Sequence, residues 1–168
     1  MVKLIVGSMI AFFIAYLVNP GILGTSREFI PALVTGRFQI FSVFGNREVP
    51  LFSVLVVIML CKLLCNCIVV GSGMSAGFTG PAVIAGMLLG AAFALCVGIE
   101  PGSATYHAFL CCGFAGVLSG SMNIPIAASI MAVELFGLQY GFAAGLASII
   151  AFQMSRETTI YGYYLEEE

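Results

Sequence analysis

Long apolar runs separated by short joints dominate the chain: Leu4–Val18, Val49–Val70, Pro81–Ile99, Tyr106–Leu118 and Ile124–Phe152. None shows the strict alternation of a half-buried strand, so the pattern predicts helices, the form that satisfies its own backbone groups in hydrocarbon. The runs are uneven. Val49–Val70 spans about 30 Å at 1.5 Å per residue, whereas Tyr106–Leu118 and Ile124–Phe136 are too short to cross a bilayer untilted. Uneven runs interrupted by Gly and Pro predict broken or re-entrant helices whose freed backbone groups face protein or a water-filled cavity, the anatomy of a channel or transporter.

A polar link at about 19–48 carries Arg27, Arg37 and Arg47. Its stretch Arg27–Thr35 reads as a short helix against the membrane or as part of a pair of ordinary loops, and its arginines favour the cytoplasmic side. At the other end "MSRETTIYGYYLEEE" returns the chain to water as an acidic cytoplasmic tail, about 155–168, with Tyr161, Tyr163 and Tyr164 suited to an interfacial belt. Lys3 ahead of the first run imitates a secretory signal. No small-residue cleavage site followed by a hydrophilic chain accompanies it, so this run too reads as a membrane helix.

Composition strengthens this reading: 61% of residues are hydrophobic, 8% are charged, and mean hydropathy is +1.11. A soluble domain carries about a quarter charged residues. The expected class is therefore an all-α, multi-pass integral membrane protein forming a single membrane domain over 1–168. A net charge of −2 leaves no footprint for nucleic acid. Cys61, Cys65, Cys67, Cys96, Cys111 and Cys112 all lie inside apolar runs, which argues against a disulfide framework. Cys61 and Cys65 have the spacing of a metal pair, but the chain has no Asp and a single His to complete one. No metal and no cofactor are expected.

The glycine-rich stretch "GSGMSAGFTGP" carries the candidate chemistry. Gly71, Gly73 and Gly77 permit sharp turns, and Gly80-Pro81 opens a helix, since proline suits a first turn where its missing N–H costs nothing. A helix start carries about half a positive charge and binds anions through backbone N–H groups alone. At mid-membrane it would hold a small anion such as chloride. The same residues also suit a tight helix-packing corner. From another class comes a serine hydrolase, since Gly73-Met74-Ser75-Ala76-Gly77 is a literal G-x-S-x-G elbow and Glu100 and His107 follow in hydrolase order. That elbow requires a preceding strand, and the run before it shows none.

"GSGMSAGFTGPAVIAGMLLGAAF" resembles the region around the G-x-F-x-P signature of the chloride channel and transporter (CLC) family. "AGVLSGSMNIPIAASIMAVELFG" resembles the family's proline-containing turn and the helix ending in F-E-L-T-G. "TTIYGYYL" resembles its final S-I-Y motif, and "PGILGTSREFIPALVTG" its link into the second repeat. The resemblance covers nearly the whole chain. It implies the second of two inverted repeats plus the terminal helix, the C-terminal half of a CLC transport domain. The first repeat's serine loop and its G-R-E-G-P gating glutamate have no counterpart in these residues.

The resemblance implies a chloride channel or proton/chloride exchanger, and not an enzyme. Its anion site maps to Gly77, Phe78, Thr79, Gly80 and Pro81, with backbone donors inside the motif, and to Tyr161, whose hydroxyl would donate from the cytoplasmic side. The interfacial belt is the other reading of Tyr161. Thr79 departs from the family's usual phenylalanine: backbone donation survives the change, while a hydroxyl replaces an aromatic wall. Glu134, the acid deep in an apolar run, matches the F-E-L position and is expected to be structural and hydrogen-bonded. The implied partners are chloride, the lipid bilayer, a missing N-terminal half or second polypeptide, and a second copy in a homodimer of complete subunits. The competing role is a truncated or split fragment that scaffolds and conducts nothing.

Overall fold

The computed structural model describes residues 2–22, 26, 28–38, 50–73 and 77–157. Arg27, Arg47, Met74–Ala76, Tyr161, Tyr163 and Tyr164 lie outside them. Each apolar run is helical, in the order α1 (Val2–Val18), a 3-10 turn (Pro20–Ile22), α2 (Phe29–Thr35), α3 (Leu51–Gly71), α4 (Thr79–Cys96), α5 (Ala104–Met122), α6 (Pro125–Phe136), a second 3-10 turn (Leu138–Tyr140) and α7 (Gly141–Ser155). No strand occurs among the described residues. α3 and α4 are long and apolar enough to cross a membrane.

The last apolar run is cut where Gly137 adopts φ 103°, ψ 157°, a backbone state open essentially to glycine alone. α5 and α6 are separated by Asn123 in the left-handed region, followed by Pro125 in the first turn of α6. α5 itself is longer than its apolar run predicts, at 19 residues. At its start the Ser103 hydroxyl oxygen accepts from the Tyr106 N–H at 3.1 Å. At its end the serines face α7: Ser119 Oγ donates to the Ser148 carbonyl at 2.8 Å and Ser155 Oγ to the Gly120 carbonyl at 2.7 Å. Ser119 and Ser148 are fully buried. Satisfied by a neighbouring backbone, they sit inside the bundle at little cost.

The interior is lined by small residues. Gly86 and Gly90 on α4 meet Gly113 and Phe109 on α5 so closely that a Cβ at Gly113 would lie 2.3 Å from the Gly86 carbonyl oxygen, and one at Gly90 2.3 Å from that of Phe109. Ala91, Ala115, Ala128, Ala132 and Ala144 fill the rest of the seams at 0% exposure. Large side chains such as Phe29, Leu55, Tyr106 and Phe114 fill the space between these seams, while others face outward: Tyr16 is 68% exposed, Phe142 80% and Met154 85%. Small residues at the helix seams and large hydrophobes on the outer surface are expected where lipid is the solvent and helices associate by close backbone packing.

Successive long helices run antiparallel, which creates two ends. One gathers the start of α1, the close of α3, the start of α4, and the junctions where α5 meets α6 and α7 ends. Gly7 packs on Ser72 there, and the Asn123 amide donates to the Arg156 carbonyl at 3.4 Å. The other gathers α2, the α4–α5 loop and the α6–α7 turn, where Gly36 packs on Pro101 and His107 Nε2 bonds the Val34 carbonyl at 3.0 Å. Residues flanking the polar link, Val18 and Leu51, are at this second end, whereas α7 delivers the tail to the first.

Candidate anion site at the start of α4

α3 ends at Gly71, and Gly73 turns the chain with φ 88°. After Met74–Ala76 the chain is described again at Gly77, and Phe78 is the N-cap residue of α4, which begins at Thr79. The helix thus starts two residues earlier than Pro81 predicts. Phe78 supplies the carbonyl that accepts from Ala82 N at 3.0 Å, and its ring packs against the core. No side chain caps the first turn. The N–H groups of Thr79 and Gly80 point out of the helix start, where an α-helix offers them no internal acceptor, and Pro81 contributes no donor.

The surroundings of this turn are open. Gly77, Thr79 and Gly80 are exposed, while Phe78 and Pro81 are half-buried. A Cβ added at Gly77 or Gly80 would meet nothing within 4 Å. Partial positive charge, outward donors and the absence of a covering side chain among the described residues make a place suited to an anion. Thr79 contributes a side chain to the neighbourhood: its hydroxyl donates to Met122 Sδ at 3.8 Å, a weak thioether acceptor. Through Met122 and Asn123, the close of α5 and the exit of α7 lie beside this helix start. Tyr161 follows that exit and lies outside the described residues.

Glu134 is remote from this turn. It lies near the far end of α6, exposed. The hydrolase constellation is not assembled either. A helix, not a strand, precedes the G-x-S-x-G segment, and Glu100 and His107 sit at the opposite end of α4, about 27 Å away along an 18-residue helix. His107 is engaged with the Val34 carbonyl and lies against Tyr140 at 6.5 Å between ring centroids. All six cysteines are free thiols, and no cluster of metal-ligating side chains occurs among the described residues.

Sequence reasoning missed Lys62, Met122 and Asn123. Lys62 was detectable as a cation inside an apolar run, but Met122 and Asn123 acquire meaning only from tertiary proximity to Thr79 and Arg156.

The chain is 26% identical over 162 residues to an uncharacterized protein of Methanocaldococcus jannaschii, an alignment covering 96% of this chain and 36% of that protein. It is 31% identical over 100 residues to a chloride/fluoride channel protein of Pseudomonas syringae pv. tomato, covering 60% of this chain and 21% of the relative. The chain thus spans about a third or less of the curated relatives it matches. No solved structure gives a significant match. The voltage gated chloride channel family model matches residues 1–156, and the chain belongs to that family.

Proposed function

We propose that this chain forms one wall of an anion pathway, holding chloride at the start of α4 through the N–H groups of Thr79 and Gly80, within the turn Gly77–Pro81. The observation that carries this reading is the uncapped, uncovered first turn of α4. Family membership and a relative named as a chloride/fluoride channel protein support anion transport as the activity. The chain is multi-pass in this reading, and Tyr161 donates its hydroxyl from the tail side. That side is cytoplasmic by the resemblance to the S-I-Y motif.

One helix start leaves the remaining faces of a dehydrated anion without donors, and unpaired charge in hydrocarbon costs several kcal/mol or more. A polypeptide segment equivalent to the family's first repeat completes the site, and complete subunits pair as a homodimer. A scaffolding role is the second reading, favoured by the apolar side chains that α6, the second 3-10 turn and α7 leave exposed at Ile126, Leu138 and Phe142.

Chloride efflux from proteoliposomes separates these readings. The 168-residue chain alone is expected to give no selective flux, and the chain reconstituted with a first-repeat polypeptide to give it. Selective flux from the chain alone overturns the one-wall reading, and no flux from either preparation favours the scaffold.

Tyr161→Phe is expected to weaken chloride binding ten- to a hundredfold at most, the equivalent of a hydrogen bond to a charged group of about 1.5–3 kcal/mol. Tyr163→Phe and Tyr164→Phe should leave the affinity unchanged in titration calorimetry. Equal affinities in all three variants would return Tyr161 to the interfacial belt.

A further inference from the structure

Lys62 lies near the middle of the 21-residue α3 and is 3% exposed. Its Nζ donates to the Ile22 carbonyl at 2.7 Å and to Ser26 Oγ at 2.8 Å. Ser26 Oγ donates in turn to the Ile22 carbonyl at 3.3 Å. Both acceptors belong to the irregular stretch between α1 and α2. There Ser26 has φ 49°, and Asn19 Oδ1 accepts from the Gly21 N–H at 2.8 Å. Irregular backbone beside a membrane helix needs partners for its carbonyls, and an ammonium inside a span needs acceptors, so each group answers the other's requirement.

The other ties of α3 differ in kind. Toward α1 they are the close approach of Gly7 to Ser72 and the weak bond from Cys65 Sγ to the Ala11 carbonyl at 3.7 Å; toward α4 they are packing contacts of apolar side chains. Apolar contacts carry no direction, and a thiol is a weak donor. The bonds of Lys62 are short, directional and charge-assisted, and they fix height as well as distance. From Lys62 to Gly71 is about 13 Å along the helix at 1.5 Å per residue. Beyond Gly71 the chain enters the segment leading to Phe78 and Thr79.

We propose that Lys62 is a positioning residue: by bonding the α1–α2 stretch at Ile22 and Ser26 it sets the axial register of α3, and through it the place where the donor turn of α4 is held. The consequence for the anion rests on the reading of that turn as the anion site. The register itself does not.

The test compares wild type, Lys62→Met, Lys62→Arg and Ser26→Ala by amide hydrogen exchange and by chloride titration, on full-length chain in its reconstituted assembly. Lys62→Met is expected to speed exchange by about tenfold or more both in peptides covering Asn19–Ile22 and in those covering Phe78–Ala82, and to weaken chloride binding by about tenfold or more. Lys62→Arg should restore most of both effects. Faster exchange confined to Asn19–Ile22, with Phe78–Ala82 and chloride affinity at wild-type values, would reduce Lys62 to a local anchor and overturn the proposal. If the wild type binds no chloride while exchange still rises in both regions, the register assignment stands and the anion reading fails. Should Lys62→Met not fold, Ser26→Ala carries the same test, with the same paired rise expected at smaller amplitude and a rise at Asn19–Ile22 alone overturning the proposal.

Discussion

Gly113→Val is expected to prevent α4 and α5 from packing, giving little or no monodisperse protein in detergent. A Cβ at this position falls 2.3 Å from the Gly86 carbonyl oxygen and 2.9 Å from the backbone of Gly90. These neighbours are main-chain atoms of a helix, which cannot swing aside as a side chain can. Overpacking a well-filled interior costs about 1–3 kcal/mol and sometimes more; here the added atoms force two helix backbones apart along their most extensive seam. Gly113→Ala should show the same effect in milder form as a lowered melting temperature. Gly145→Ala is the matched control, because a Cβ there meets nothing within 4 Å, and it should leave stability unchanged or slightly raised through better helix propensity. Size-exclusion profiles and thermal melts of the three variants check this. A Gly113→Val protein with wild-type profile and melting temperature would show that the α4–α5 contact is looser than described.

The second large effect is expected at Thr79. Thr79→Pro removes one backbone N–H from the first turn of α4 and should weaken chloride binding at least tenfold, whereas Thr79→Phe keeps the N–H and should bind as wild type does. Proline is compatible with the first position of a helix. The cost falls on Phe78, whose helical φ −77°, ψ −26° is disfavoured before proline, so helix content must be verified alongside affinity. The loss corresponds to a hydrogen bond to a charged group, about 1.5–3 kcal/mol. Thr79→Phe also deletes the hydroxyl that donates to Met122 Sδ, a weak bond whose absence costs little. Equal affinity of the folded proline variant, measured calorimetrically, would refute backbone donation at this position.

Much of the fold was legible in the sequence because lipid leaves few choices: an apolar run must be helical, and Gly137 and Pro125 punctuate the last run where the structure breaks it. The length of α5 was not legible. Ser119, Ser121 and Ala104 look like joint residues until α7 supplies a carbonyl for Ser119, Ser121 bonds the Leu118 carbonyl within α5 and Ser103 caps the first turn. The Gly77–Pro81 turn was legible as a motif, and the helix it opens begins at Thr79 with Pro81 in the first turn, since the residues before a proline can themselves be helical when packing holds them so. Lys62 was passed over because a single cation in an apolar run has no visible acceptor, and its partners Ile22 and Ser26 lie 40 and 36 residues away in the chain.

Anomalous diffraction from crystals of the reconstituted assembly grown with bromide in place of chloride tests the central claim most directly. The account predicts a bromide peak in hydrogen-bonding contact with the N–H groups of Thr79 and Gly80, lost in Thr79→Pro. A fully occupied bromide elsewhere in the pathway, with this helix start empty, would contradict it.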